Sequence, residues 1–271
     1  MGCRLPSGTS EEGDAVKNKN ERSMARPKRL VLADGTYESI KSMILDHEIA
    51  PGEHVGIDEL ARDLAVSQTP VREALARLEA DGLVTKIPLR GYQTTELLTV
   101  QQFDDLFQFR GAIEPWAASE AALRSTRIAK DAIEAELATA DNIARSSASS
   151  TYPEFVEHDT RFHALVAHAS GNAFVEDAFI RTHCHLHLFR AYKATLLLEQ
   201  HQAAEGGFVR NMFEEYYRSG TRPLALAEHV QIAEAIASGD AAAANSLMLN
   251  HIESSRRRFI PAVEALNAVG A

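Results

Sequence analysis

The sequence "IDELARDLAVSQTPVREALARLEADGLV", residues 57–84, contains two short helical patterns separated by a tight turn. Apolar residues recur at helical spacing in each pattern, and the second pattern ends at Asp81-Gly82, a pair that favours a chain turn. Ser67 can cap the second helix, and Pro70 falls in its first turn, where proline is tolerated. These residues therefore predict two helices joined by a turn.

A small β-hairpin is predicted directly after these helices. Residues 83–95, "LVTKIPLRGYQTT", alternate apolar and polar side chains around a turn at 88–91, and another helical pattern precedes residue 51. Helices about a turn followed by a hairpin make a winged helix-turn-helix. Arg72 lies one turn into the second helix, and Arg90 and Gly91 lie at the wing tip. An amphipathic helix with solvated arginines is the alternative, but the combination with the wing favours DNA binding.

The remainder of the chain reads as helices. Thr99 with Gln102 forms a capping-box signature before the first of them. The predicted helices cover residues 100–124, 129–146, 153–169, 173–202, 224–238 and 241–263. We therefore predict a mainly α protein, with an N-terminal winged helix-turn-helix and a C-terminal all-α antiparallel helical bundle.

Four segments are expected along the chain. They are a flexible N-terminal arm (1–29), a DNA-binding domain (30–96), an all-helical domain for metal and effector (97–265) and a short tail (266–271). The arm contains a basic stretch that is either a solvated tail or an arm that follows DNA. The least regular part of the second half, near 200–222, is interpreted as an insertion.

Composition limits the possible classes of protein. The 271 residues include two cysteines, which excludes a disulfide framework, and no apolar run long enough to span a bilayer, so we expect a cytoplasmic protein. The net charge of -10 argues against sequence-independent attraction to polyanions. Any DNA binding must therefore come from a local basic surface.

A carboxylate and three histidines are predicted to face the core of the helical half. Asp159 and His163 are four residues apart on one helix, and His229 and His251 lie on apolar faces of two later helices. A divalent cation such as zinc, nickel, manganese or iron would satisfy all four at once. The alternative is that each histidine is hydrogen-bonded within an ordinary core.

The helical half contains two further sets of candidate site residues. His183, Cys184, His185 and His187 point to different sides of one predicted helix, so we interpret them as core or interface residues, with His187 expected to line an effector pocket. Arg110 shares a helical stripe with phenylalanines and with Glu114 one turn later. It is either half of a structural ion pair or a group that binds a carboxylate.

Residues 51–84 resemble the N-terminal winged helix of the GntR family of bacterial transcription regulators, and the following region resembles the FCD effector domain. The resemblance spans about residues 30–265. It implies DNA contacts from the start of the second helix and the wing, which here are Ser67, Gln68, Thr69, Arg72 and Gly91. Many members have arginine where this chain has Gln68, so we expect a shift from guanine toward adenine in the operator.

The same resemblance implies a metal. FCD domains that contain metal have an Asp-x3-His pair followed by two later histidines, and the matching positions are Asp159, His163, His229 and His251. It also implies that Arg110 faces the pocket. The expected function is a homodimeric regulator that binds an inverted-repeat operator, a divalent metal (zinc foremost) and a small carboxylate effector, without enzymatic activity. The alternatives are a structural metal or none with a bulky acyl ligand, and a metal-dependent hydrolase, which is disfavoured because no general base is placed.

Overall fold

The computed structural model describes residues 28–145, 152–200, 211 and 224–269. Within them the N-terminal half consists of three helices and a three-stranded antiparallel sheet. The helices are α1 (Lys28–Leu45), α2 (Ile57–Asp63) and α3 (Gln68–Ala80), and the strands are β1 (His54–Val55), β2 (Val84–Ile87) and β3 (Gly91–Thr94), in the order β1-β3-β2. The predicted helix-turn-helix and wing are thus confirmed.

The buried face of α3 holds this half together. Val71, Leu75 and Leu78 are completely buried and pack against the apolar face of α1, which includes Ile40. The short strand β1 was not predicted. It pairs His54 with Gln93, and two residues give too little alternation to be recognised in a sequence.

The described part of the C-terminal half is entirely helical. Its helices are α4 (Val100–Arg124), α5 (Arg127–Arg145), α6 (Tyr152–Ala169), α7 (Ala173–Arg181), α8 (Cys184–Gln200), α9 (Leu224–Ser238) and α10 (Ala241–Val269). The capping box of Thr99 and Gln102 is present at the start of α4, as predicted. The mainly α fold class is confirmed.

Three boundaries differ from the expectation. α1 begins at Lys28 rather than after residue 29, and the last helix continues to Val269 rather than ending near 263. The single helix predicted over 173–202 is wrong, because the chain turns between α7 and α8, where His183 has a φ of 46°. The Thr182 hydroxyl donates to the Phe179 carbonyl oxygen at 2.7 Å and so satisfies a helix-end group without glycine or proline.

Residues 1–27, 201–210 and 212–223 lie outside the described residues, and with them nearly all of the predicted arm and of the predicted insertion. Among the described residues no helix combines the length and the apolar character needed to cross a lipid bilayer.

Helix α8 connects the two halves. Arg190 donates to the Thr95 hydroxyl at 2.7 Å and to the Thr95 carbonyl oxygen, and Lys193 forms an ion pair with Asp46 at 2.6 Å. Helix α8 begins at Cys184, whose side chain is buried in the core of the C-terminal half. One helix therefore contacts both the winged helix and the interior of the helical bundle.

Candidate functional site

Three histidines from three helices converge in the interior of the helical half. His163 of α6, His229 of α9 and His251 of α10 are each at most 4% exposed. The Nε2 atom of His251 lies 3.2 Å from that of His163 and 3.3 Å from that of His229. The structure thus brings together three of the four predicted metal ligands through the same ring nitrogen.

The other ring nitrogen of each histidine is held by a hydrogen-bonded chain that ends at a carboxylate. His163 Nδ1 lies 2.6 Å from Glu114, and His251 Nδ1 lies 2.8 Å from Glu228. His229 Nδ1 lies 3.0 Å from His158 Nε2, and His158 Nδ1 lies 2.9 Å from Glu136. Each ring is therefore oriented from outside the cluster.

Each of these three carboxylates is also paired with an arginine. The pairs are Arg110 with Glu114 at 2.5 Å, Arg161 with Glu136 at 2.8 Å and Arg258 with Glu228 at 3.5 Å. Burial alone would raise the pKa of Glu114, but the Arg110 guanidinium and His163 hold that pKa well below its ordinary value. Arg110 thus favours the ionised form of Glu114, and an ionised carboxylate can only accept hydrogen bonds.

This arrangement decides which ring nitrogens carry protons. Because an ionised carboxylate only accepts, Nδ1 of His163 and of His251 must donate, and the His158 relay makes Nδ1 of His229 donate as well. Burial lowers the pKa of His163 to about 4 and that of His229 well below its usual value, so both rings are neutral near pH 7. The Nε2 atoms of His163 and His229 therefore carry lone pairs, and both face Nε2 of His251.

A divalent cation fits this donor set. The Nδ1 atoms of the three rings already have partners outside the cluster, so the Nε2 atoms are the ones available to an ion placed between them. Nitrogens bound to a tetrahedral ion at about 2.0–2.1 Å lie about 3.3 Å apart, which matches the observed separations. Carboxylates that accept from the outer nitrogen of a ligating histidine are the usual second layer of such sites.

Asp159 occupies a neighbouring position. Its carboxylate is 4% exposed and lies 3.9 Å from His229 Nδ1, on the His158 side of that ring. Donor atoms of His158, Asp159 and His229 form a second close group, which shares His229 with the three-histidine group. Asp159 is therefore beside the cluster, next to the outer nitrogen of His229.

The two predicted effector-binding residues lie in different places. Arg110 is 1% exposed and holds Glu114 with two hydrogen bonds and the Cys184 sulfur at 3.2 Å, so its ion-pair alternative is the arrangement observed. His187 lines a cavity of about 490 Å³ beside the segment that joins the two halves. Arg110 is not among the described residues that line this cavity.

Sequence reasoning missed several residues of the site. His158, Glu136 and Glu228 carry its outer hydrogen bonds, and the His185 ring centre lies 5.2 Å from that of His163. Glu228 directly precedes His229 in the sequence, and this adjacency is a weak indication that Glu228 belongs to the site. His185 was assigned to a core or interface group because the turn before α8 was not predicted.

The predicted DNA-contacting residues of the winged helix are accessible to solvent. Ser67, Gln68, Thr69, Arg72 and Arg90 are exposed, and Gly91 is partly exposed, at the start of α3 and at the wing tip. Ser67 is the residue before α3, but its side chain makes no capping hydrogen bond, contrary to the expectation. Gln68 donates to Asp58 and accepts from Arg72 at 3.1 Å. The surface therefore presents connected polar groups rather than isolated ones.

Comparison with known proteins agrees with this architecture. Residues 32–93 match the family described as bacterial regulatory proteins, gntR family, and residues 105–254 match the FCD domain. A protein of Agrobacterium vitis described as an HTH-type transcriptional regulator in the TAR-I ttuE-ttuC' intergenic region is 30% identical over 60% of this chain and 88% of its own length. The Uxu operon transcriptional regulator of Escherichia coli K12 is 27% identical over 84% of this chain and 88% of its own.

A solved structure shows the same fold. The putative GntR transcriptional regulator from Rhodococcus sp. RHA1 superposes with a TM-score of 0.56 at 19% identity, covering 84% of this chain and 97% of that one. The matched families and the relatives are transcription regulators and not enzymes. This chain belongs to the GntR family of bacterial DNA-binding transcription regulators, with an FCD domain after its winged helix.

Proposed function

We propose that the FCD domain of this regulator binds one divalent metal ion and, at that ion, a small carboxylate effector that changes the affinity for operator DNA. His163, His229 and His251 would hold the ion, and Asp159 is the nearby carboxylate available as a fourth donor. The observation that carries the proposal is the convergence of three Nε2 atoms, each ring oriented by an outer hydrogen bond. Zinc suits this nitrogen-rich donor set best.

When bound, the cation supplies positive charge and coordination positions to which a carboxylate can bind. The protein's own residues fix the rings and keep them neutral. Arg110 divides its hydrogen bonds between Glu114 and the sulfur of Cys184, and a thiol is a weak acceptor. The NH1 group that contacts Cys184 is therefore the donor that would turn to an effector carboxylate, while NE and NH2 keep Glu114. His187, in a separate cavity, is assigned a different role below.

DNA binding is proposed to use Ser67, Gln68, Thr69, Arg72, Arg90 and Gly91, because these residues are accessible at the start of α3 and in the wing. We further propose a homodimer that acts in the cytoplasm on an inverted repeat, since two-fold proteins match two-fold operators. Effector binding would favour one arrangement of the two winged helices. A gel-shift titration with DNA from upstream of the gene should give one discrete dimer complex; its absence at moderate salt would refute this part.

The outer carboxylates give a sharper prediction. We expect Glu228→Gln to weaken metal binding by about 10- to 100-fold, because the amide is a poorer acceptor for His251 Nδ1 and lowers the ligand's basicity. Competition with a fluorescent chelator measures the affinity. Glu157→Gln is the control, since Glu157 is 75% exposed and pairs only with Arg161 among these residues. Equal losses in the two variants would contradict the role of Glu228.

The effector is sought by a thermal-shift screen of the purified protein. Mono- and dicarboxylates, sugar acids and aromatic acids are each tested with and without chelator. An acid that binds at the metal should raise the melting temperature only of the metal-loaded protein. If chelation lowers the melting temperature and no acid raises it, the ion is structural, and the alternative regulator with a bulky acyl ligand replaces this proposal.

A further inference from the structure

A second cavity lies at the junction of the two halves, away from the histidine cluster. Its volume is about 490 Å³, which is in the range of small-molecule sites. One side is formed by the connecting segment, including Leu98, and by Pro51 of the winged helix. The remaining walls come from α4, α8 and α10 and are largely apolar, with Phe103, Leu106, Val263 and Leu266.

One polar side chain at this cavity lacks a partner. His187 lines it, and the Nδ1 atom of His187 is buried without a hydrogen-bond partner among the described residues. Leaving a buried polar atom without a hydrogen bond is unfavourable, because the atom has lost its hydration without a replacement. A group that hydrogen-bonds to Nδ1 inside the cavity would remove that cost, so this atom indicates where the polar end of a ligand would lie.

Arg190, one helical turn after His187 on α8, carries a buried positive charge. Arg190 is 1% exposed, and among the described residues its guanidinium donates to uncharged groups, the Thr95 hydroxyl and the carbonyl oxygens of Thr95 and Glu96. The carboxylate of Glu96, an exposed residue that also lines the cavity, acts on Arg190 without a hydrogen bond and opposes the lowering of its pKa by burial. Its Nε atom is also buried without a hydrogen-bond partner among the described residues. The charge of Arg190 acts on His187, because burial and then Arg190 lower the pKa of that ring. A buried cation without a bonded carboxylate favours an anion nearby.

We propose that this junction cavity is a second small-molecule site, which binds an apolar carboxylate with its charged end toward His187 and its hydrocarbon part against Phe103, Leu106 and Leu266. It is distinct from the histidine cluster and does not require the metal. A ligand there contacts Pro51, the connecting segment and three helices of the FCD domain. It would therefore act on the junction through which Arg190 holds Thr95, and so on the placement of the winged helix.

Isothermal titration calorimetry on the full-length protein tests this site. The probes are 4-methylpentanoate and cyclohexanecarboxylate, each compared with its neutral amide, and every titration is run on metal-loaded and on chelated protein. Two variants address the cavity. Leu266→Trp places an indole in it, and His187→Phe removes the polar nitrogen while keeping an aromatic ring. Leu123→Trp, at a side chain that is 65% exposed, controls for the added indole.

We expect at least one acid to bind, its amide to bind about tenfold more weakly, and chelation to leave the affinity unchanged. Leu266→Trp should abolish binding and His187→Phe should lower the affinity about tenfold, while both variants keep the metal content of the wild type. The proposal is overturned if neither acid binds, if the amides bind equally well, if binding survives both variants, or if chelation abolishes it. Absence of metal from the purified protein would refute the metal proposal alone.

Discussion

The His163→Ala variant is expected to lose its metal almost completely. Removing one of three converging nitrogens should weaken binding by more than the 10- to 100-fold that an outer-shell residue costs. The fold should weaken as well, because an ion present at a thousand times its dissociation constant stabilises the native state by about 4 kcal/mol. Metal content by plasma mass spectrometry and the melting temperature measure both effects.

His168→Ala is the matched control for this variant. His168 lies on the same helix, but its side chain is 71% exposed and pairs only with the surface residue Glu176. It should keep one metal ion per protomer and the melting temperature of the wild type. If His163→Ala retains the wild-type metal content, the histidine cluster is an ordinary hydrogen-bonded core and the sensor proposal fails.

The second large effect is expected at the DNA surface. Arg72→Ala should reduce operator affinity by about 1–3 kcal/mol, which is roughly 5- to 150-fold, if the guanidinium contacts a base. Arg72 is exposed and is held toward Gln68 by a hydrogen bond of 3.1 Å, so it needs little reorganisation to reach the groove. Fluorescence anisotropy with labelled upstream DNA measures the affinity over a range of salt concentrations.

Arg127→Ala removes the same charge from a site in the FCD domain whose side chain is 93% exposed. Its affinity for the operator should match that of the wild type. A phosphate contact by Arg72 would instead appear as a uniform loss across DNA sequences, with the salt dependence reduced by about one unit. No loss at all in Arg72→Ala would remove this residue from the DNA interface.

The sequence predicted those parts of the fold that local signals specify. Recognisable sequence signals accompany the turn before Gln68, the break at Asp81-Gly82 and the turn at 88–91. The winged helix can be predicted from these three turns. The turn at His183 has no such signal in the sequence. Its backbone adopts a positive φ without glycine, and the apolar pattern runs on through it.

In the histidine cluster, the inward-facing residues could be predicted from the sequence, but their outer hydrogen-bond partners could not. The four-residue spacing of Asp159 and His163 on an apolar face predicted which side chains point inward. The partners Glu136 and Glu228 come from other helices or from the edge of a helix, and only the packed structure shows which ring each one orients. The four-residue spacing of Arg110 and Glu114 indicated that the two side chains could pair. The spacing alone could not decide whether Arg110 forms an ion pair with Glu114 or contacts an effector.

The central claim is that a metal-bound acid controls DNA binding, and one experiment addresses it directly. Operator affinity is measured by fluorescence anisotropy in four conditions: metal-loaded and chelated protein, each with and without the acid that gives the largest thermal shift. We predict that the acid changes the dissociation constant by about 5- to 150-fold in the metal-loaded protein and leaves that of the chelated protein unchanged. The same dissociation constant in all four conditions would contradict the account.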